Sequence, residues 1–288
     1  MFVVVGYLMV IGFVLGGYAL AGGHFGVLMH AAPLELFIIG GAALGAFLVG
    51  NSAKTIKATF KYLPKLLKGS KYTKARYMEL MALLYDVLTK ARKEGMMAIE
   101  ADVENPAESA LFQKYPLISA DHHLMEFITD YLRMMVLGNL NAHEIENLMD
   151  NEIETHHHEA MVPGSALQTV GDGLPAFGIV AAVLGVVKTM ASVGAAPAVL
   201  GQMIAGALVG TFLGILLAYG FVSPLAQLAL QKVDESSKEL QCVKVTLLAS
   251  VQGYAPAVAL EFGRKVLYSA ERPSFIELEN HVKGRGAA

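Results

Sequence analysis

Residues 169–228 hold the side chains whose types and spacing bear on chemistry. Two apolar runs flank a short turn there, and between Pro175 and Pro224 the only charged side chain is Lys188. Moving an ion through hydrocarbon ordinarily calls for an ionisable side chain facing a cavity. Asp172 stands at the entrance of the first run, and Glu35 stands near the outward end of an earlier apolar segment, so neither is expected at mid-membrane. An ion path here would therefore borrow its central carboxylate from a partner. The competing reading is that the runs merely anchor a soluble block. Thr211 places a hydroxyl in an otherwise apolar stretch, suited to a hydrogen bond across a helix contact or to a narrow polar path. Pro175 and Pro224 each remove a backbone donor and loosen the local ladder, although prolines also occur in spans for packing.

Other candidate chemistry is thin. Arg92 and Lys93 oppose Glu100, Asp102 and Glu104 nearby in the chain. Such a charged edge could guide docking of a charged surface, and it equally describes a solvated face. His156, His157 and His158 are consecutive, so a helix would not put them on one face, and they match no zinc spacing. No metal site and no cofactor are expected. There is no GxxxxGK phosphate loop and no spacing that selects a nucleophile triad, so the chain reads as a non-enzyme without its own chemical fuel. The single cysteine, Cys242, excludes an internal disulfide framework. A net charge of -3 speaks against a nucleic-acid binder.

The elements that must position these residues are helical. The chain has 288 residues, 55% of them apolar, with a mean hydropathy of +0.50, and its charges gather in two blocks. That is membrane-protein composition with a sizeable soluble part. A spanning helix needs roughly 17–25 apolar residues, and four segments are expected to cross: residues 2–21, 34–50, 172–190 and 201–224. The first lacks a basic start and a cleavage signature, so it reads as a retained helix. Residues 22–33 and 191–199 read as short outward loops without Lys or Arg. Residues 51–76 carry Lys54, Lys57, Lys61, Lys65, Lys68, Lys71, Lys74 and Arg76 and no acid, which marks the cytoplasmic side. Lys54 to Lys68 recur at helical spacing, as on a face lying against anionic headgroups, with Pro64 expected to kink or interrupt it.

The division read from these patterns is a first membrane hairpin (1–50), a cytoplasmic helical domain (51–168), a second hairpin (169–228) and C-terminal cytoplasmic helices with a tail (229–288). Within the soluble block, helices are expected over 77–93, stopping at Gly95, over 121–137 with Asp121 as cap, and over 141–160. The last opens with Asn141 and Glu144 at capping-box spacing. Residues 163–168 read as a link to the membrane. Further helices are expected over 229–252 and 255–270, then a short segment from Pro273 and a loose tail, KGRGAA. The whole is all-α and polytopic, with both termini on the cytoplasmic side.

Residues 169–228, together with GYLMVIGFVLGGY, SKYTKARYMELMALLYDVLTKARKEGMMAIEADVENP and CVKVTLLASVQGYAPAVALEFGRKVLYSAERPSFIELE, resemble the stator subunits of the bacterial flagellar motor. These belong to the MotA/TolQ/ExbB proton channel family, and the likeness covers residues 1–283. It implies an inner-membrane homo-oligomer, thought to be a pentamer, around a MotB-type partner that supplies the membrane aspartate. Proton flow would turn the ring against its core and drive the rotor switch protein FliG. By resemblance, Pro175 and Pro224 match prolines linked to conduction and torque coupling, and Thr211 matches a hydroxyl near the ion path. Arg92, Glu100 and Glu152 match charges at the rotor interface. Ala182 stands where sodium-driven relatives tend to carry a threonine, which favours protons. A sodium-driven stator, or a non-flagellar subunit of the ExbB or TolQ type, are the alternatives.

Overall fold

The computed structural model describes residues 2–138 and 141–285. Every regular element among the described residues is helical. Backbone packing divides the chain into two compact units. One comprises Met1–Gly69 and Ala160–Gln231, the other Ser70–Glu159 and Lys232–Ala288.

The first unit holds the apolar helices. Helix α1 spans Phe2–Leu20 and α2 spans Phe25–Gly50. The basic helix α3, Ala53–Leu66, is capped by Ser52, whose hydroxyl accepts from the Thr55 N–H at 3.2 Å. It passes through Pro64 and ends two residues later. The expected loop at 22–33 is mostly helix, because α2 starts at Phe25 and carries Pro33 inside it. Apolar and alanine-rich residues on both sides of Pro33 keep the helix going, and a proline removes only one ladder bond. At 1.5 Å per residue α2 is about 39 Å long, longer than the roughly 30 Å hydrocarbon core. Glu35 is consequently the eleventh residue of a 26-residue helix. It lies well inside the helix, ten residues from its start, which corrects its expected place at the outward end of the segment.

Helix α8 runs unbroken from Ala142 to Met190, with Pro163 and Pro175 inside it, so the link expected at 163–168 is helical. Gly164 belongs to a close contact there: a Cβ would stand 2.9 Å from a Leu230 methyl. Helix α9, Pro197–Leu217, starts with Pro197 in its first turn, where a missing N–H costs nothing. A wide π-helical turn, Ala218–Val222, joins it to α10, Ser223–Val251. The last span and the first C-terminal helix are thus continuous. Ile39, Ala43, Leu174, Ala181, Val209, Leu213 and Ala218 form the unit's buried core, whereas α1 buries none of its residues. Four helices, α1, α2, α8 and the stretch Pro197–Val251, are long and apolar enough to cross a membrane, and the chain is a multi-pass membrane protein.

The second unit packs around α4, Lys74–Glu94, whose Leu80, Leu83, Leu84, Val87 and Leu88 are fully buried. Gly95, at φ 93°, ends it in a conformation that favours glycine. A 3-10 turn and the short α5, Glu100–Glu104, follow, then α6, Pro116–Ser119, and α7, His122–Leu137. The early part of α8 opens with the expected capping box: Asn141 Oδ1 accepts from the Glu144 N–H at 3.0 Å, and Glu144 accepts from the Asn141 N–H at 3.0 Å. Helices α11, Pro256–Val266, and α12, Phe275–Arg285, complete the unit. Residues 286–288 of the expected tail lie outside the described residues.

Asp121 precedes α7 as expected but caps nothing with its side chain. Its carboxylate instead pairs with Lys71 and accepts from Arg76 Nη2 at 2.7 Å. Two cations outcompete a backbone N–H for a carboxylate. Arg76 also forks onto Glu239 at 2.5 and 3.0 Å, a buried pair fastening α4 to α10.

Candidate functional site in the membrane unit and charged edge

In the membrane unit, small residues let α8 and α9 come almost to backbone contact. A Cβ added at Gly178 would lie 2.8 Å from the Gly210 carbonyl oxygen and 3.0 Å from Gly214 Cα. One added at Gly214 would meet Leu174 O and Gly178 Cα at 2.8 Å, and one at Gly185 would meet Ala207 Cα at 2.9 Å. Such contacts associate helices in lipid through packing alone.

The expected path residues fall near two levels of this seam. At one, Gly210 packs against Ala181 and the Ala182 backbone nitrogen, and Thr211 is its neighbour, half-buried like Ala182. At the other, Gly171 approaches the Ser223 backbone, where a Cβ would stand 3.3 Å from Ser223 N. Pro175 lies one turn along α8 from that contact, half-buried, and Pro224 follows Ser223, exposed. The wide turn beside Pro224 also receives α1: the Tyr7 hydroxyl donates to the Phe221 carbonyl at 3.0 Å, and the two rings pack at 4.8 Å.

Glu35 belongs to this seam although sequence reasoning put it at a helix end. It is only 6% exposed, and its Oε2 has no hydrogen-bond partner. It abuts Gly210, where a Cβ would lie 2.6 Å from that oxygen. The signal was present, an acid inside an apolar run, but a helix begun at residue 34 hid it.

In the second unit, Arg92 closes α4 and Glu100 opens α5 across the Gly95 turn, and both are exposed. Neither has a salt-bridge partner among the described residues. Two of the three acids expected to oppose Arg92 and Lys93 are held by other cations instead: Asp102 by Lys90 at 2.7 Å and Glu104 by Arg133 at 2.7 Å. Burial alone would raise the Asp102 carboxyl, but the Lys90 hydrogen bond and that from the Ser109 hydroxyl outweigh it and lower its pKa. Glu152, exposed on α8, accepts from the Tyr131 hydroxyl of α7 at 2.6 Å. Arg92 and Glu100 thus remain available for an outside surface, while Glu152 is already oriented.

The three consecutive histidines diverge. His156 stacks on His123 at 4.2 Å, His157 bonds Ser237 at 2.8 Å, and His158 sits 3.6 Å from Glu154. Among the described residues no group of three or more His, Cys, Asp or Glu is placed to hold a metal ion.

Comparison with known proteins bears on both regions. Residues 4–95 match the model "Motility protein A N-terminal", and residues 119–242 match "MotA/TolQ/ExbB proton channel family". The chain is 59% identical over 283 residues to Motility protein A of Salmonella typhimurium, covering 98% of this chain and 95% of that relative. It is 39% identical over 274 residues to chemotaxis protein LafT of Vibrio parahaemolyticus, covering 95% of each. Its fold is similar to that in a structure of C. jejuni MotAB, with a TM-score of 0.77 at 22% identity over 94% of this chain and 98% of that one. The flagellar MotAB stator complex from Bacillus subtilis gives 0.73 at 25% identity, over 90% and 92%. Four apolar helices, a glycine seam between two of them and near-complete alignment with these relatives place the chain in the MotA/TolQ/ExbB proton channel family.

Proposed function

We propose that this chain is the proton-coupled stator subunit of a bacterial flagellar motor, working in the inner membrane with a MotB-like partner. The observation that carries the reading is the 59% identity to a Motility protein A across 98% of the chain, spans and soluble block alike. The chain is not an enzyme: a channel subunit conducts ions and makes no covalent bond.

The geometry supports a working sequence. A proton reaching the partner's carboxylate removes the cost of a charge in a low-dielectric site. Packing at the α8–α9 seam then changes near Pro175 and Pro224, and release toward the cytoplasm resets it. One charge crossing 100 mV supplies about 2.3 kcal/mol, enough for a modest rearrangement repeated many times. Residues 1–50 and 169–228 serve as the membrane hairpins, and 51–168 with 229–288 as the cytoplasmic part. Five copies ring the partner, and Arg92, Glu100 and Glu152 pass the motion to FliG by charge contacts. Ala182 offers no side-chain oxygen, whereas bare sodium needs several ligands; a proton needs only a hydrogen-bonded route.

The test is ion flux into vesicles holding the chain with and without its partner, under proton and sodium gradients separately. Proton flux only with the partner supports the reading. Equal flux from the chain alone, or flux that follows sodium, overturns it.

A further inference from the structure

An acid in the middle of a spanning helix needs a reason. Glu35 is more than nine-tenths buried with an unpartnered Oε2, and it borders a half-open cavity of about 860 Å³ lined by residues of α2, α8 and α9. A static ion pair would explain it, but Glu35 makes none among the described residues: Lys188 of α8 lines the same cavity without reaching it in a salt bridge. The other titratable groups lining the cavity are His24 and His30, from the outward end of α2, and α9 contributes none. The remaining polar lining comes from Thr189 and Gln202. On its other side the carboxylate abuts Gly210, whose missing side chain gives it room and which packs against Ala181 and the Ala182 nitrogen and precedes Thr211 in the chain. A buried carboxylate without a counter-charge is expensive when ionised and tolerable when protonated, so this one is suited to gaining and losing a proton.

We propose that Glu35 is a proton-relay residue on the outward side of the conduction path, joining the cavity to the level of Ala182 and Thr211. The inference rests on the stator reading above. In the step, a proton from water at the outward end of the cavity binds Glu35 Oε2. The new O–H bond then breaks as the proton passes to the carboxylate supplied by the partner. Glu35 returns to its starting form, and one proton has moved inward.

The experiment compares wild-type chain, Glu35→Gln and Glu35→Asp, each assembled with the partner and reconstituted in vesicles. Proton uptake is followed against outer pH. Glu35→Gln keeps the shape and is expected to lower flux about 100-fold, the scale of a lost proton-transfer group. Glu35→Asp restores much of it with a shifted pH profile. The infrared C=O absorption of a protonated carboxyl should also diminish in the glutamine variant. Wild-type flux with an unchanged pH profile in Glu35→Gln overturns the proposal. So does failure of both variants to assemble, which would make the residue structural. Absence of flux from the wild-type complex would instead sink the stator reading, and the relay with it.

Discussion

Gly178 and Gly214 tolerate no side chain, because each faces the backbone of the other's helix within 3.0 Å of any added Cβ. Gly178→Val is expected to destabilise the assembled protein by about 1–3 kcal/mol, the usual penalty for overpacking, read as a lower unfolding midpoint in detergent. Tyr131→Phe removes the 2.6 Å bond to Glu152. It should cost about 1 kcal/mol and weaken rotor engagement, read as reduced swimming with proton flux intact. Single residues were the least legible scale. Arg76 and Glu239 are separated by 163 positions, and nothing local in either stretch announces their pairing. Asp121 has the type and place of a helix cap, yet two cations that only the fold brings near decide its partner. Thr211, Pro175 and Pro224 were visible because a hydroxyl or a proline in an apolar run is conspicuous in one dimension.

Periodicity and composition were good guides to the helices and poor guides to their ends. Gly95 and Gly138 stop α4 and α7 where expected, both at positive φ. Pro33, Pro163 and Pro175 stop nothing: Pro33 lies within an apolar run, Pro175 opens one, and Pro163 sits in a more polar stretch where the next residue, Gly164, packs against Leu230. Acid conditions test the corner between α4 and α5. Asp102 has a folded pKa below its ordinary value of about 3.9. Its contribution is therefore complete above that value and is lost as pH falls through the lower, folded one. Hydrogen exchange over residues 90–109 should quicken in that window, and Asp102→Asn should abolish the dependence. At the junction of α4 with α10, Arg76→Met strands Glu239 in a buried site. The expected loss is about 3–5 kcal/mol, measured by thermal unfolding of the soluble part within the full chain.

At the scale of the molecule, the membrane unit and the charged edge make separable predictions. Arg92→Glu should reduce torque while leaving proton flux in vesicles unchanged, and added salt should mimic it for the wild type, since exposed charges are screened over about 8–10 Å. Flux lost along with torque would assign Arg92 to conduction instead. The wide turn at Ala218–Val222 has a consequence of its own. It sets the phase in which α10 begins, bringing Ser223 to Gly171 and Ala229 and Leu230 to Gly164. Each residue of a helix advances it by about 100°. Removing one residue from that coil would swing those three side chains off their glycine seats, so the deletion would act as a rotation and not as a shortening.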